Sequence, residues 1–332
     1  MKIFIIAAKE NWITDQLYNE FVSSNKLLVT NNIYESDIIW ILSNYMVYQI
    51  NNKLLTSKKV ITTIHHIVPW KMNEERIKHY KYLDSITNVF HSICDITTQE
   101  LRKYTQKKII KKPFWINQNL WREISFNAPY LGRYYNKELL RLKYNIPINC
   151  FLIGSFQRDT EGNSITNKKF EPKLEKGPDI FVKIINKLKN NKNSHINSNI
   201  RVLLTGKNRQ YMMIELEKIN VKYTYFEMVS LQQVNELYNC LDLYIVSSRV
   251  EGSPQAIKEC AITKVPIIST NVGIASEILH KNSIYDMNTL EHLDKVITNS
   301  LKKESIKQAY KNIIKYNIPL YFAEFVKLFR EI

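Results

Sequence analysis

Eleven short apolar runs, separated by stretches with helical spacing, constrain this chain more than any other feature of its sequence. In the first half they are KIFIIA (2–7), KLLVT (26–30), DIIWIL (37–42), KVITTIHH (59–66), NVFHSIC (88–94) and KIIKKPFWI (108–116). Between them lie segments such as ITDQLYNEFV, where Leu17, Phe21 and Val22 share one helical face. Strands that are apolar on both sides and alternate with helices call for a parallel sheet covered on both faces. The rhythm breaks at LGRYYNKELLRLKYNIPIN (131–149) and restarts with FLIGSF (151–156), IRVLLTG (200–206), KYTYFEM (222–228), LDLYIVS (241–247) and VPIIST (265–270). The expected fold is therefore α/β, with two doubly wound Rossmann-like domains over 1–140 and 141–315 and a terminal segment, 316–332. Ligands of such sheets bind at the carboxyl ends of the strands, so a cleft between the two domains is the expected site.

The totals remove several function classes. No apolar run approaches the roughly 20 residues that span a bilayer. The opening MKIFIIAAKENW has an apolar run that stops at Lys9 and Glu10, with no cleavage-type segment after it, so a cytoplasmic location is expected. Cys94, Cys150, Cys240 and Cys260 are scattered and form no close pair of the kind that zinc or a redox dithiol uses. The formal charge of +16 is spread, with 21 basic against 12 acidic residues in 1–150 and 26 against 19 in the remainder. A spread excess favours anionic small molecules or acidic lipids over a nucleic-acid stripe.

One segment stands apart: SSRVEGSPQAIKECAITKVPIISTNVGIASEIL (247–279). A buried strand ends at Ser247 and Ser248, and Arg-Val-Glu-Gly leaves it at the carboxyl end. Ser253 is a good N-cap and Pro254 suits the first helical position. The helix that follows turns free N–H groups and the positive end of its dipole toward a ligand, a place for phosphate. Glu251 precedes that helix and Glu259 lies in its second turn, and carboxylates accept paired hydrogen bonds from the vicinal diols of ribose and pyranose rings.

This segment resembles the signature of family 4 retaining glycosyltransferases of the GT-B fold. In that family a strand ending in Ser-Arg leads to Glu-Gly-x-Pro, seven residues separate two glutamates, and Pro-hydrophobic-hydrophobic-x-Thr-x-Val-Gly follows. The resemblance implies that Glu251 contacts the transferred sugar and Glu259 the ribose. It also implies that the backbone around Ser253, Pro254 and Gln255 holds the donor phosphates, with Gly154, Ser155, Gly252 and Met228 completing the donor side. FLIGSFQRDTEG followed by LEKGPDIFVKIINKL resembles the element whose arginine and lysine neutralise the donor diphosphate, which makes Arg158 and Lys176 candidates, with Lys173 the rival of Lys176. Gln157 departs from the glycine that the family has before that arginine.

VITTIHHIVPW resembles the family's strand-to-loop element that presents a histidine, so His65 is a catalytic candidate and His66 its fallback on the acceptor side, with Asn11, Trp12 and Thr14. The apolar face of the tail, Tyr321, Phe322, Phe325, Leu328 and Phe329, is expected to cross back onto the first domain; a membrane-surface helix is the alternative.

The implied reaction is transfer of a sugar from a UDP-sugar or GDP-sugar to a glycan, lipid-linked or other acceptor, with retention and without a cofactor. No Asp-x-Asp motif occurs, which agrees with a metal-independent hexosyltransferase. Peripheral contact with an anionic membrane is one further expectation, and nucleic acid is not expected as a partner. The alternatives are a nucleotide-sugar epimerase on the same fold and a basic nucleic-acid or membrane-binding module with an idle site.

Overall fold

A computed structural model describes residues 1–8, 13–125, 132–162, 170–191 and 199–332, with only the backbone described for 132–135. The chain forms two compact units, Met1–Trp115 with Tyr316–Ile332, and Ile116–Lys315.

The first unit holds one parallel sheet in the order β1 (Ile3–Ile6), β2 (Ile38–Ile41), β3 (Lys59–Ile64), β4 (Val89–Ser92), β5 (Lys108–Lys111). KLLVT, expected as a strand, contributes only a parallel bridge from Val29 to Ile3, held by Ile3 N–H to the Leu28 carbonyl (2.7 Å) and Thr30 N–H to the Ile3 carbonyl (3.0 Å). Ile3 also pairs with Ile38 of β2. The bridge therefore lies on the other side of β1, and the winding reverses there.

Alternation along the strands feeds two cores. Ile38 and Trp40 join one, while Ile39 and Ile41 join the other. The first core also receives the tail helix Phe322–Arg330, whose Phe322, Phe325, Leu328 and Phe329 are all buried. The Phe325 ring lies 4.9 Å from Trp115, and Phe329 lies 5.1 Å from Trp40. Tyr321 donates to the Pro113 carbonyl at 3.1 Å, and Lys112 pairs with Glu324 at 3.2 Å. This corrects the membrane-surface alternative for the tail, because the aromatic face that would enter a lipid interface is inside the first unit.

The second unit has a six-stranded parallel sheet in the order β11 (Ile284–Tyr285), β10 (Ile267–Thr270), β9 (Leu243–Val246), β6 (Phe151–Ser155), β7 (Ile200–Thr205), β8 (Lys222–Phe226). The helix Pro178–Asn190 buries Ile180, Phe181, Ile184, Ile185 and Leu188 against β6, β7 and β9 residues such as Ile153, Val202 and Ile245.

The junction falls after Trp115, earlier than the expected residue 140. Residues 116–125 belong to the second unit because its helix Leu231–Asn239 satisfies their backbone. Asn235 Oδ1 accepts from Arg122 N–H (3.1 Å), and Asn239 Oδ1 accepts from Ile124 N–H (3.0 Å). The buried Arg141, on the helix Gly132–Lys143, likewise donates to the Cys240 carbonyl (2.9 Å) and to Asp242 (2.6 Å).

Candidate functional site

The order of the second sheet puts its topological switch between β6 and β9, since the chain winds toward β7 and β8 from one and toward β10 and β11 from the other. Loops leaving two such strands diverge and open a crevice at their carboxyl ends. The loop after β6, the turn before the helix Pro178–Asn190 and the loop after β9 meet here.

At their meeting point the Lys176 ammonium pairs with Glu251 Oε1. Ser248 Oγ lies 3.3 Å from the same oxygen, and Oε2 has no hydrogen bond of its own among the described residues. Gln157 donates to the Lys176 carbonyl at 2.9 Å, and Ser247 Oγ donates to it at 3.2 Å. Arg249 grips Asp179 with two hydrogen bonds, 2.7 and 2.6 Å, and reaches the Leu174 carbonyl at 2.9 Å. Burial alone would raise the Asp179 carboxyl, but the Arg249 hydrogen bonds and charge outweigh it and hold the pKa below the usual carboxylate value.

Two of the chain's 7 glycines press against the loop after β9. Gly177 has φ +59°, and a Cβ there would lie 1.9 Å from the Ser247 carbonyl oxygen. Gly273 has φ +55°, and its Cβ would lie 2.1 Å from the Gly252 carbonyl oxygen. No side chain fits either contact, so the loop's position depends on glycine at both.

The helix after this loop runs Gln255–Thr263. Its N-cap is Pro254, not Ser253 as the sequence suggests: Pro254 keeps an extended ψ of 118°, and its carbonyl accepts from Ile257 N–H (3.1 Å). Ser253 Oγ makes no capping bond and is buried without a hydrogen-bond partner among the described residues. A buried hydroxyl left unpaired costs free energy that a bound acceptor would recover. Gln255 is the first helical residue, and Gly252 is buried against Gly273.

Glu259 is only 8% exposed, and its carboxylate accepts from Tyr238 OH at 2.7 Å. Burial raises its pKa to about 7, opposed by the Tyr238 hydrogen bond and by the Lys258 charge. The Tyr238 ring lies 4.7 Å from Phe156 on the loop after β6, and 6.0 Å from Trp121. Sequence reasoning missed Tyr238, which lies at the end of an amphipathic helix and reads as core.

The other candidates separate. Lys176 faces Glu251, whereas Lys173 lies 3.3 Å from Glu175 and 3.9 Å from Glu161. Arg158 donates to the carbonyls of Thr160 (3.0 Å) and Gly162, both in its own loop. Ser155, at the end of β6, is held by Arg209, a fully buried residue that sequence reasoning also missed. Arg209 pairs with Asp159 and donates to the Ser155 and Thr205 carbonyls, each at 2.6 Å, fixing the loop that carries Arg158. Gly154 sits inside β6 facing the side chains of Leu241 and Tyr244, and Met228 lies exposed in the turn after β8.

In the first unit His65 follows β3 directly. Its Nε2 donates to the Leu42 carbonyl at 2.9 Å, and its ring stacks on Phe114 at 5.6 Å. Buried His91 lies between Thr63 Oγ1 (2.9 Å) and the Lys112 carbonyl (2.7 Å), and burial lowers its pKa to about 3, so it stays neutral. His66 is exposed, and Thr14 is half-buried in the first turn of the helix Ile13–Ser24. Asn11 and Trp12 lie outside the described residues. Among the described residues no three His, Cys, Asp or Glu side chains are grouped to hold a metal ion. No described helix is long and apolar enough to cross a membrane.

Residues 164–318 match the family of group 1 glycosyl transferases. Over its full length the chain superposes on all of the Anabaena Alr3699/HepE structure in complex with UDP, at TM-score 0.71 and 11% identity. The fold is GT-B. WaaG, a glycosyltransferase involved in lipopolysaccharide biosynthesis, also shares it at TM-score 0.64 and 14% identity, with 94% of each chain covered. Protein CapJ of Staphylococcus aureus is 26% identical over 249 residues, which are 70% of this chain and 58% of that protein. The ion pair, both glycine contacts and the helix Gln255–Thr263 all lie inside the matched glycosyl transferase segment.

Proposed function

We propose that the chain is a glycosyltransferase of the retaining, metal-independent family 4 type, moving a sugar from a nucleoside-diphosphate sugar to a glycan, glycolipid or other acceptor. One observation carries the reading. At the switch point, a cation (Lys176), a carboxylate with one open oxygen (Glu251) and an unpaired buried hydroxyl (Ser253) flank the start of a helix. A sugar diphosphate needs that combination: positive charge and N–H groups for the phosphates, and an acceptor for a sugar hydroxyl.

Lys176 stabilises the departing diphosphate, and Glu251 Oε2 receives a hydroxyl of the transferred sugar. Arg158 joins the phosphates by leaving its loop carbonyls, and Glu259 receives the ribose diol in place of, or beside, Tyr238. The acceptor attacks from the face that the diphosphate leaves, and His65 and His66 are the first unit's candidates for the acceptor side. HepE is known in complex with UDP and with UDP-glucose, which favours a uridine donor here. The setting is cytoplasmic, with the basic surface drawn to an anionic membrane.

The test is a thermal-shift screen with UDP, GDP and ADP, followed by incubation with the matching nucleotide sugars. The melting temperature should rise with one diphosphate by mass action, and the parent nucleotide sugar should slowly release it. No shift with any of the three would overturn the proposal.

A further inference from the structure

The donor loops are tied together by a side chain that touches none of the groups assigned to the donor. Gln157 leaves β6 two residues after its last strand position, and its carboxamide spans two other loops. Its Nε2 donates to the carbonyl of Lys176 at 2.9 Å, and its Oε1 accepts from Ser248 Oγ at 3.2 Å. That hydroxyl also lies 3.3 Å from Glu251 Oε1, the oxygen that receives the Lys176 ammonium. One amide thus reaches the backbone of the cation, and it shares the single Ser248 hydroxyl proton with Glu251 Oε1, since both oxygens only accept. Donor and acceptor are both needed: the nitrogen meets a carbonyl and the oxygen meets a hydroxyl, so neither a hydrocarbon nor a carboxylate can make both contacts.

Backbone bonds also tie the loop after β6 to the segment before the turn: Lys173 N–H reaches the Asp159 carbonyl (2.7 Å) and Glu161 N–H the Glu171 carbonyl (2.9 Å). Arg249 N–H and Val250 N–H bond the Glu175 carbonyl (2.9 and 3.2 Å), and the Arg249 guanidinium holds Asp179, so they join the turn at 174–176 to the loop after β9. Neither connects to the loop after β6. Gln157 alone among these contacts joins all three loops.

We infer that Gln157 is a positioning residue that sets the Lys176 ammonium and the Glu251 carboxylate in register for the donor. The inference rests on the donor-site reading above. Leaving-group stabilisation depends steeply on placing a charge where negative charge develops, so loosening the clamp lowers turnover more than it lowers affinity for the free diphosphate.

The test compares wild type, Gln157→Met and Gln157→Glu in three measurements: melting temperature, affinity for the nucleoside diphosphate that wild type binds, and release of that diphosphate from its nucleotide sugar. Methionine keeps the length and removes both hydrogen bonds. Glutamate keeps the acceptor, loses the donor and adds a rival anion near Lys176. The expected result is melting within about 2 °C of wild type for both variants and diphosphate affinity within about threefold. Release should be at least about tenfold slower for Gln157→Met and slower again for Gln157→Glu. A merely structural role would lower melting and rate together and would not rank glutamate below methionine. If wild type binds the diphosphate and releases it, and Gln157→Met releases it at the wild-type rate, the positioning role is wrong. If wild type binds none of UDP, GDP and ADP, the donor reading fails instead.

Discussion

The loop after β3 in the first unit and the loops after β6 and β9 in the second all leave parallel strands at their carboxyl ends, yet they are fixed by different means. In the first unit the His65 ring donates to the Leu42 carbonyl, just past β2, and stacks on Phe114. The sheet beneath owes its order to an aromatic core of Trp40, Trp115, Phe114 and Phe325. In the second unit the loops are fixed by two glycine-to-carbonyl contacts, a bidentate Arg249–Asp179 pair and the Lys176–Glu251 pair. Apolar packing tolerates many sequences of similar volume, whereas a glycine at positive φ against a carbonyl tolerates one residue. Loops held by glycine contacts and ion pairs therefore leave a readable trace, while an apolar scaffold leaves only a period.

The largest effect that would sharpen this contrast is in the first unit. Phe325→Ala removes a ring packed against Trp115, Trp40 and Phe114, and should cost about 3–5 kcal/mol of stability. Diphosphate affinity measured below the melting temperature should stay within about twofold, since nothing in the second-unit loops changes. A parallel loss of affinity would break the contrast. Gly177→Ala comes next. Its Cβ would meet the Ser247 carbonyl at 1.9 Å, so denaturant unfolding should show a loss of at least about 3 kcal/mol. Gly162 also has positive φ (+81°) but no described residue within 4 Å of an added Cβ, so Gly162→Ala should cost only about 1 kcal/mol. Equal losses at the two sites would mean that backbone conformation, not the loop contact, decides.

How much of this was legible follows the same division. The segment 247–279 showed its strand, loop, helix and second glutamate because glycine, proline and the paired acids are rare in this chain and fall in order there. The strand runs were legible from apolar content, but KLLVT was overread: only Val29 pairs, because the chain meets β1 for a single residue. The junction at Trp115 was hidden because residues 116–125 are captured by Asn235 and Asn239, more than a hundred positions away. Tyr238 and Arg209 were missed for the same reason, and Gln157 was read only as a departure from the family's glycine. Each acts through partners on another loop or strand, and nothing in local spacing marks a tyrosine that will meet Glu259 or an amide that will meet Lys176.

Glu259 offers a pH handle on the second unit. Its folded pKa, raised to about 7 from 4.5 by burial, means the folded chain holds a proton that the unfolded chain has already lost between those values. Its contribution is fully present below about pH 4.5 and is lost as pH rises through about 7. Between pH 4.5 and pH 8, the stability difference between wild type and Glu259→Gln should therefore shift by on the order of 3 kcal/mol against wild type. A pH-independent difference in unfolding would show that the carboxylate ionises normally. The smallest effect is at Ser253. Because its buried hydroxyl lacks a partner, Ser253→Ala should leave the ligand-free melting temperature unchanged or slightly higher, while diphosphate affinity falls about fivefold in calorimetric titration. A variant that melts lower and binds normally would assign that hydroxyl to the fold.

The central claim is that Lys176 in the second unit meets the donor diphosphate, and calorimetric titration of UDP into wild type and Lys176→Ala tests it most directly. The account predicts binding by wild type and affinity at least about tenfold weaker in the variant, the loss of a charge-assisted contact. Equal affinity in the two proteins would contradict it.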